Sequence, residues 1–227
     1  MTFGSEAGDE AAIAAAETAL AERHPALAAL IAGRGPCTLA SRRGTAGSHL
    51  EALASAIVSQ QLAGRAAAAI WARVRALAPG GFDATTVVGL DPAALRGAGL
   101  SAAKARSLND LARRVVSGRL DLDEVAGLGD EDVIARLSEV RGIGRWTAQM
   151  FLMFRLQRLD VWPSGDLGVR RGYAVIHGLA AAPPAKDLEG LGEPFRPWRS
   201  VAAWYCWRAV DTVTPLDPVP GEASGLA

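Results

Sequence analysis

Two short segments in the second half of the chain contain residues whose types and spacing could do chemistry. In the first, Gly142 and Gly144 enclose one apolar residue between two helical patterns, so the turn can bring bare backbone amides close to an anion. In the second, about twenty residues later, Asp166 ends the run Asp-Val-Trp-Pro-Ser-Gly-Asp and offers a carboxylate. These segments predict a phosphate-binding hairpin and a catalytic carboxylate.

Each of these features also has a purely structural interpretation. The two glycines could simply end one helix and start the next. Asp166 could be the N-cap of the helix that contains Val169 and Tyr173, and this role is compatible with a catalytic one. Asp160 is the nearest rival carboxylate, but its position directly after the second hairpin helix favours capping or an arginine contact.

Helical periodicity dominates the rest of the sequence, and strand alternation is scarce. A capping box at Ser48 and Glu51 predicts the start of a long helix that continues to Ile70. Asp9 is predicted to cap an earlier helix that runs to about Ala32. Further helix starts are predicted at Asp91-Pro92, Ser101, Asp130, Gly144, Asp166 and Pro197. We therefore predict an all-α fold in which the helices on either side of the hairpin form a helix-hairpin-helix.

Composition limits the class of protein. The chain has 227 residues, 50% of them hydrophobic, so it can bury a sizeable core. Its formal net charge of zero gives no argument for a nucleic-acid partner. Six arginines and two aspartates lie between positions 141 and 171, a local excess of positive charge that suits a nucleic-acid partner. The chain has 22 arginines and two lysines, which we attribute chiefly to a GC-rich genome, although guanidinium groups also suit phosphate contacts. Two cysteines, Cys37 and Cys206, form neither a disulfide framework nor a four-cysteine cluster, which favours a reducing cytoplasm. We predict no signal peptide and no membrane span.

Five blocks of sequence, taken in order, resemble one known family. They are Ile57-Val-Ser-Gln-Gln61, Gly99-Leu-Ser-Ala-Ala-Lys-Ala-Arg106, Val140-Arg-Gly-Ile-Gly-Arg-Trp-Thr-Ala-Gln149, Trp162-Pro-Ser-Gly-Asp-Leu-Gly-Val-Arg-Arg171 and Pro197-Trp-Arg-Ser200. One Gly-x-Gly hairpin would be weak evidence, whereas five ordered blocks across roughly residues 46–211 are specific. The chain resembles the helix-hairpin-helix DNA glycosylases, and within them the 3-methyladenine DNA glycosylase II branch.

The resemblance implies that the hairpin holds DNA through its phosphates without reading the base sequence. It also implies that the hairpin carbonyls of Ser138, Val140 and Ile143 bind a monovalent cation, Na⁺ or K⁺. Gln61 aligns best with the residue that fills the gap left by an extruded base, although two glutamines in mid-helix could equally be solvated. The predicted DNA-binding residues are Gln60, Gln61, Lys104, Arg141, Gly142, Ile143, Gly144, Arg145, Thr147 and Arg170.

The resemblance assigns the chemistry to Asp166. An N-alkylated purine is already a cationic leaving group, so one carboxylate that supports the positive sugar and guides water can suffice. Trp146 stands where bifunctional relatives carry the lysine that cuts the strand through a Schiff base, and Lys104 and Lys186 match no such block. We predict base excision without strand cleavage and without a required cofactor. An iron–sulfur cluster is not expected, because Cys206 alone cannot hold one.

Aromatic side chains are the expected lining of the base pocket, because a cationic purine stacks well on an electron-rich ring. Trp207 falls where the branch places a pocket tryptophan. Met150 departs from the aromatic residue of one relative, which puts the substrate preference in doubt. Core packing is the alternative for these residues, and we prefer it for Trp198 and Trp204. The predicted pocket residues are Trp146, Met150, Tyr205 and Trp207.

The predicted architecture has two helical lobes with a cleft between them and the hairpin at the interface. Residues 1–45 are expected to form an N-terminal helix and loop that pack on the C-terminal lobe. Residues 46–157 form the lobe with the helix-hairpin-helix, which spans about residues 130–156. Residues 158–214 form the C-terminal lobe and residues 215–227 a flexible tail. An additional N-terminal β-domain, present in some relatives, is not expected.

The predicted function is hydrolysis of the N-glycosidic bond of alkylated purines, chiefly 3-methyladenine, in double-stranded DNA. The protein would be a cytoplasmic bacterial monomer that acts at the nucleoid and initiates base excision repair. One alternative is a non-catalytic protein that binds DNA lesions, against which Asp166 and Trp207 argue. The other is a glycosylase for oxidised guanine or deaminated purines, because pocket shape rather than motif spacing sets that choice.

Overall fold

A computed structural model describes residues 6–40, 47–62 and 64–210. Every regular element in these ranges is helical and no strand occurs among them, which confirms the predicted all-α fold. The described residues divide into two compact units. The central unit contains residues 47–62 and 64–151, and the terminal unit contains residues 6–40 and 152–210. No helix in the described ranges is long and apolar enough to cross a membrane.

The helices follow one another in short steps along the chain. In order they are α1 (Glu6–Arg23), α2 (Pro25–Arg34), α3 (His49–Ser59), α4 (Gly64–Ala76), α5 (Ala84–Gly89), α6 (Pro92–Gly97), α7 (Ala102–Val116), α8 (Leu122–Ala126), α9 (Asp130–Ser138), α10 (Arg145–Met150), a π-helical turn (Phe151–Arg155), α11 (Leu167–Ile176), α12 (Ala185–Leu191), a 3-10 turn (Glu193–Phe195) and α13 (Arg199–Ala209). The predicted tail at residues 215–227 lies outside the described residues.

The terminal unit joins the first helices of the chain to the last ones. α1 and α2 both pack against α13, and α11 makes an extensive contact along α13. The unit begins again at residue 152, whereas the predicted domain boundary followed residue 157. Residue 152 lies within the π-helical turn, which differs from the α-helix in its hydrogen-bond spacing.

The N-terminal helix differs from the prediction. We expected one helix capped by Asp9 and running to about Ala32, but α1 already includes Asp9 and ends at Arg23. α2 then begins at Pro25, whose side-chain ring fixes φ and removes the backbone N–H. A proline fits the first turn of a helix, where its missing N–H is not needed, so Pro25 starts a new helix. The prediction of a single helix was wrong because Pro25 divides this segment into two helices.

The capping box that starts α3 is confirmed. The Ser48 hydroxyl oxygen accepts from the Glu51 backbone N–H at 3.2 Å, and the Glu51 carboxylate accepts from the Ser48 N–H at 3.0 Å. The long helix predicted after it is wrong, because α3 ends at Ser59 and α4 begins only at Gly64. Gln61 adopts a φ of 57°, in the left-handed region, and this ends the helical path.

α7 is a long helix of the central unit that packs against three others. It packs against α3, α5 and α6, and it buries Leu108 and Leu111 completely. Its start is as predicted, with the Ser101 hydroxyl accepting from the Lys104 backbone N–H at 3.3 Å. It ends at Val116, and Gly118 follows with a φ of 70°. The first turn of α7 lies beside the end of α3, because Lys104 Nζ is 2.6 Å from the Val58 carbonyl oxygen.

Candidate DNA-binding hairpin and catalytic carboxylate

The turn between α9 and α10 has the geometry of a helix-hairpin-helix. Gly142 adopts a φ of 78°, and Gly144 is the N-cap of α10 with a φ of −100°. The Ile143 N–H donates to the Val140 carbonyl oxygen at 3.0 Å, and the Ile143 side chain is buried. Ile143 thus anchors the turn in the central unit, while both glycines are exposed. Exposed glycine backbone at a helix start is the arrangement that phosphate binding requires.

The two hairpin glycines should respond differently to alanine. At Gly142 a Cβ would overlap the Ser107 hydroxyl, and the positive φ alone costs a side chain roughly 1–2 kcal/mol. At Gly144 no described atom lies within 4 Å of the position that a Cβ would take. We expect Gly142→Ala to lower the urea unfolding midpoint strongly and DNA affinity as well. Gly144→Ala should lower DNA affinity with only the smaller loss of stability that a poorer N-cap causes. Equal unfolding midpoints for the two variants would contradict this geometry.

The two predicted phosphate-binding arginines of the hairpin lie at the surface. Arg145 forms a bidentate ion pair with Glu131, with N–O distances of 2.6 and 2.8 Å. Such an exposed pair contributes little to stability, so Arg145 can exchange Glu131 for a phosphate at small cost. Arg141 is exposed and its backbone N–H donates to the Asp110 carboxylate at 2.8 Å. Direct DNA contacts by these two side chains stay predictions.

Two predicted DNA contacts are instead engaged with each other. Thr147 is buried, and its hydroxyl accepts from the Gln60 side-chain amide at 3.2 Å. The same Gln60 amide donates to the Gly142 carbonyl oxygen at 2.9 Å. The Thr147 hydroxyl still has a proton to donate, so a DNA contact by Thr147 stays a prediction. Gln61, the next residue, is exposed.

Two further predicted DNA contacts donate to backbone carbonyls. The Lys104 ammonium lies 2.6 Å from the Val58 carbonyl oxygen and 2.6 Å from that of Gln60. The Arg170 guanidinium donates to the Pro183 carbonyl oxygen at 2.7 Å in the terminal unit. Both side chains are half-buried. Their hydrogen bonds tie chain segments together, which the sequence did not indicate.

Asp166 is the N-cap of α11, as one of the two interpretations predicted. Its Oδ1 accepts from the Val169 backbone N–H at 2.9 Å and from the Trp207 indole N–H at 2.9 Å. The start of a helix and two N–H donors all stabilise a negative charge. The carboxylate is half-buried and held in one orientation, so the capping role and a catalytic role are compatible.

Trp207 is positioned by its neighbours in the terminal unit. It is 1% exposed and stacks on Phe154 with ring centroids 6.0 Å apart and an interplanar angle of 24°. A Cβ at Gly168 would lie 2.7 Å from Trp207 Cδ1 and 3.1 Å from Asp166 Oδ1. Gly168 therefore leaves the space in which the indole reaches the carboxylate. Sequence reasoning identified Trp207 only as a residue that stacks on a base.

A second glycine brings α11 and α13 together. Gly172 lies four residues after Gly168, on the same helix face, and a Cβ there would overlap the Cys206 carbonyl oxygen. The Gly-x-x-x-Gly spacing is the sequence signal for this close approach, although none of the predictions drew on it. Burial, and secondly the charge of Asp166, raise the pKa of the Cys206 thiol, so this thiol stays protonated.

The remaining predicted pocket residues differ in exposure. Tyr205 is fully buried, with its hydroxyl 2.5 Å from a Glu17 carboxylate oxygen and 3.0 Å from the Gly35 carbonyl oxygen. Burial and the hydrogen bond to Glu17 raise the pKa of the Tyr205 hydroxyl. Tyr205 therefore links α13 to α1 and to the end of α2, and its assignment to the pocket stays a prediction. In the central unit Met150 is 4% exposed, whereas Trp146 is half-buried.

The rival carboxylate, Asp160, is occupied by two arginines. Its Oδ2 lies 2.6 Å from the Arg196 guanidinium, and its Oδ1 lies 2.7 Å from Arg199 Nε. This confirms the arginine contact predicted for it. Trp204 is buried, as the preferred core interpretation stated, and Trp198 lies half-buried at the start of α13.

Comparison with known proteins identifies the class to which these features belong. Residues 54–197 match the HhH-GPD superfamily of base excision DNA repair proteins. The match covers more than half of the chain, so the chain belongs to this superfamily. The family resemblance derived from the five sequence blocks is thereby confirmed.

Individual relatives indicate which kind of enzyme within the superfamily this chain is similar to. DNA-3-methyladenine glycosylase 1 of Schizosaccharomyces pombe is 37% identical over 174 residues, which cover 74% of this chain and 76% of the relative. A solved structure of a 3-methyladenine DNA glycosylase from that yeast, in complex with abasic DNA, matches with a TM-score of 0.76 at 31% identity and covers 89% of this chain and 99% of its own. Escherichia coli DNA-3-methyladenine glycosylase 2 is 30% identical over 117 residues, 52% of this chain and 38% of the relative. These relatives identify the enzyme class as DNA glycosylase.

Proposed function

We propose that this protein is a monofunctional DNA glycosylase that hydrolyses the N-glycosidic bond of alkylated purines, chiefly 3-methyladenine, in double-stranded DNA. The observation that carries the proposal is the half-buried Asp166 carboxylate, which Val169 and Trp207 hold at the start of α11. The names of the relatives support the substrate, and the E. coli match supports the glycosylase II branch. Because its substrate is chromosomal, we place its action at the nucleoid, in the cytoplasm of a bacterial cell, as a monomer.

The reaction needs one well-placed negative charge. An N-alkylated purine is cationic, so it leaves with the electron pair of the C1′–N bond as a neutral base and needs little protonation. Positive charge then develops on the sugar, where the Asp166 carboxylate stabilises it. Water adds its oxygen to C1′, and the proton that it loses passes through the carboxylate to solvent. The hydrogen bonds from Val169 and Trp207 keep the carboxylate in place during this charge development.

DNA binding is assigned to the exposed backbone of the hairpin. The amides of Gly144 and Arg145 and the side chains of Arg141 and Arg145 contact phosphates, which fixes the protein on the duplex without base recognition. Gln61, exposed beside the end of α3, fills the gap left by the extruded base. Trp146 is the candidate to stack on that base, because part of its indole is accessible.

We also propose the cation that the family resemblance implies. The carbonyls of Ser138, Val140 and Ile143 are neutral oxygen donors of the kind that Na⁺ and K⁺ use. The Val140 oxygen accepts one hydrogen bond, from Ile143 at 3.0 Å, and retains a second lone pair. A cation there would add positive charge beside the bound phosphate. No iron–sulfur cluster and no other cofactor is part of the proposal.

Strand cleavage is not expected of this protein, because neither its two lysines nor Trp146 is suited to form the covalent imine that cleavage requires. A Schiff base requires a neutral amine at the sugar carbon. The Lys104 ammonium instead donates to two backbone carbonyls, and Lys186 is an exposed residue of α12. Trp146 occupies the hairpin-helix position at which bifunctional relatives carry a lysine, and an indole cannot form the imine.

The experiment that tests this function uses duplexes with one defined lesion each. Purified protein is incubated with duplexes that contain 3-methyladenine, 8-oxoguanine or hypoxanthine, and nicks are scored before and after alkali. We expect alkali-dependent nicks chiefly in the 3-methyladenine duplex, because its base leaves without added protons. Preferential action on another base would replace the proposed substrate. Tight binding without any release would support a non-catalytic lesion-binding protein, and nicks before alkali would overturn the monofunctional mechanism.

A further inference from the structure

The turn that follows α3 is short, and among the residues that the structure describes one backbone hydrogen bond closes it, from Leu62 to Ser59. We name Gln60, Gln61 and Leu62 the 60–62 turn. Gln60 is the C-cap of α3, Gln61 has a φ of 57°, and the Leu62 N–H donates to the Ser59 carbonyl oxygen at 3.2 Å. Gln61 and Leu62 are exposed. A turn of this kind needs contacts from elsewhere in the unit to hold one conformation.

Lys104 supplies the first of these contacts from the start of α7. The last carbonyls of a helix lack partners within the helix and carry partial negative charge. The Lys104 ammonium donates to the carbonyl oxygens of Val58 and Gln60, each at 2.6 Å. Burial lowers the pKa of this ammonium group. The Lys104 side chain is therefore directed at the end of α3 and at the backbone of the 60–62 turn.

Gln60 supplies the second contact and links the turn to the hairpin. Its side-chain amide donates to the Gly142 carbonyl oxygen at 2.9 Å and to the Thr147 hydroxyl at 3.2 Å. Thr147 is 3% exposed, so most of its surface is covered by the central unit. The Gln60 side chain thus forms hydrogen bonds with the hairpin turn, at Gly142, and with the first turn of α10, at Thr147.

α7 also holds the hairpin directly. The Ser107 side chain packs so closely on Gly142 that a Cβ on that glycine would overlap its hydroxyl. One turn later, the Asp110 carboxylate accepts from the Arg141 backbone N–H at 2.8 Å. The same helix therefore carries Lys104, which holds the 60–62 turn, and Ser107 and Asp110, which hold the hairpin.

We propose that Lys104 and Gln60 are positioning residues that set the 60–62 turn in register with the hairpin, so that the gap-filling residue meets DNA at a fixed distance from the gripped phosphate. Neither side chain contacts DNA in this arrangement, which replaces their assignment as DNA-binding residues. The inference rests on the proposed function of the hairpin and of Gln61. The inference concerns how the protein recognises a duplex with a missing base. Affinity for such a duplex can be measured without any base being released.

The test compares Lys104→Met with Lys186→Met, the same substitution at the chain's other lysine, which is exposed on α12. Affinities are measured for an undamaged duplex and for one with a tetrahydrofuran abasic analogue, across a series of salt concentrations. A lost phosphate contact would weaken both duplexes alike and reduce the slope of log K against log salt by about 1. A lost positioning contact would leave that slope unchanged.

We expect Lys104→Met to keep wild-type affinity and salt slope for undamaged DNA, and to lose preference for the abasic duplex by roughly tenfold, the effect of losing hydrogen bonds to a charged group. Lys186→Met should behave as wild type in both respects. A slope reduced by about 1, with both duplexes weakened equally, would overturn the proposal. So would a Lys104→Met protein that keeps the full preference.

A second pair of variants tests the network if Lys104→Met does not fold. Thr147→Val removes the hydroxyl that Gln60 reaches, and Thr147→Ser restores it. We expect a reduced preference for the abasic duplex in the first and recovery in the second; equal preferences would overturn the proposal. Wild-type protein that prefers the abasic duplex but releases no base would reject the proposed glycosylase activity and leave the positioning network standing.

Discussion

Asp166→Asn is expected to abolish base excision while the protein stays folded and binds DNA at least as tightly. Asparagine is nearly isosteric, and its side-chain oxygen can still accept from Val169 and Trp207, so the cap of α11 is retained. Only the negative charge is lost, and removing a group that stabilises transition-state charge costs roughly 100-fold to 1,000-fold or more in rate. DNA affinity should not fall, because one repulsion with the phosphates disappears.

The measurement is single-turnover release of 3-methyladenine together with affinity for an abasic-analogue duplex. Asp187→Asn is the matched control, because Asp187 is an exposed aspartate near the start of another helix, α12, in the terminal unit. It should retain wild-type rate and affinity. Undiminished excision by Asp166→Asn would reject Asp166 as the catalytic residue.

Gly172→Ala is expected to destabilise the terminal unit, although alanine is the better helix former. The new Cβ would overlap the backbone of Cys206, which cannot turn aside as a flexible side chain can. Overpacking of a close contact costs about 1–3 kcal/mol and occasionally more, while the gain in helix propensity is about 1 kcal/mol. The steric cost therefore dominates. Separation of α11 from α13 would also pull Asp166 away from Trp207, so excision should fall even where the protein remains folded.

Urea unfolding and the excision rate are the measurements for this variant. Gly190→Ala is the control, since Gly190 lies in α12 and no described atom comes within 4 Å of a Cβ there. It should leave the rate unchanged and raise the free energy of unfolding by about 0.5–1 kcal/mol. If Gly172→Ala were as stable as Gly190→Ala, the close packing of α11 on α13 would be refuted.

Helix starts could be predicted from the sequence because each depends on chemistry within a few residues. Ser48 with Glu51, Asp91, Ser101 and Asp166 all cap helices as expected. The two wrong helices have equally local causes. Pro25 divides the first, and the left-handed Gln61 ends the other, but a glutamine gives no sequence signal for a positive φ.

The contacts around the hairpin could not be predicted in the same way, because they join residues far apart in sequence. Lys104 reaches a carbonyl 46 residues away, and Gln60 reaches Gly142, 82 residues away. A lysine ammonium and a glutamine amide donate equally well to a phosphate oxygen and to a backbone carbonyl. Residue type therefore indicated a polar acceptor for each, but only the fold shows that the acceptor lies within the protein.

The proposed catalytic residue illustrates the same limit. Asp166 and Trp207 were each identified from motifs, Asp166 as the carboxylate and Trp207 as a stacking residue. The hydrogen bond between them spans 41 residues and needs the space at Gly168. No motif states that two helices approach so closely, although the spacing of Gly168 and Gly172 is compatible with it.

The decisive experiment for Asp166-dependent excision is chromatography of the free bases that the wild-type protein releases from a methylated duplex, with Asp166→Asn in parallel. We expect a 3-methyladenine peak that grows with time for the wild-type protein and is absent for the variant. An equal peak from both proteins, or no released base despite tight binding of the duplex by the wild-type protein, would contradict the proposed mechanism.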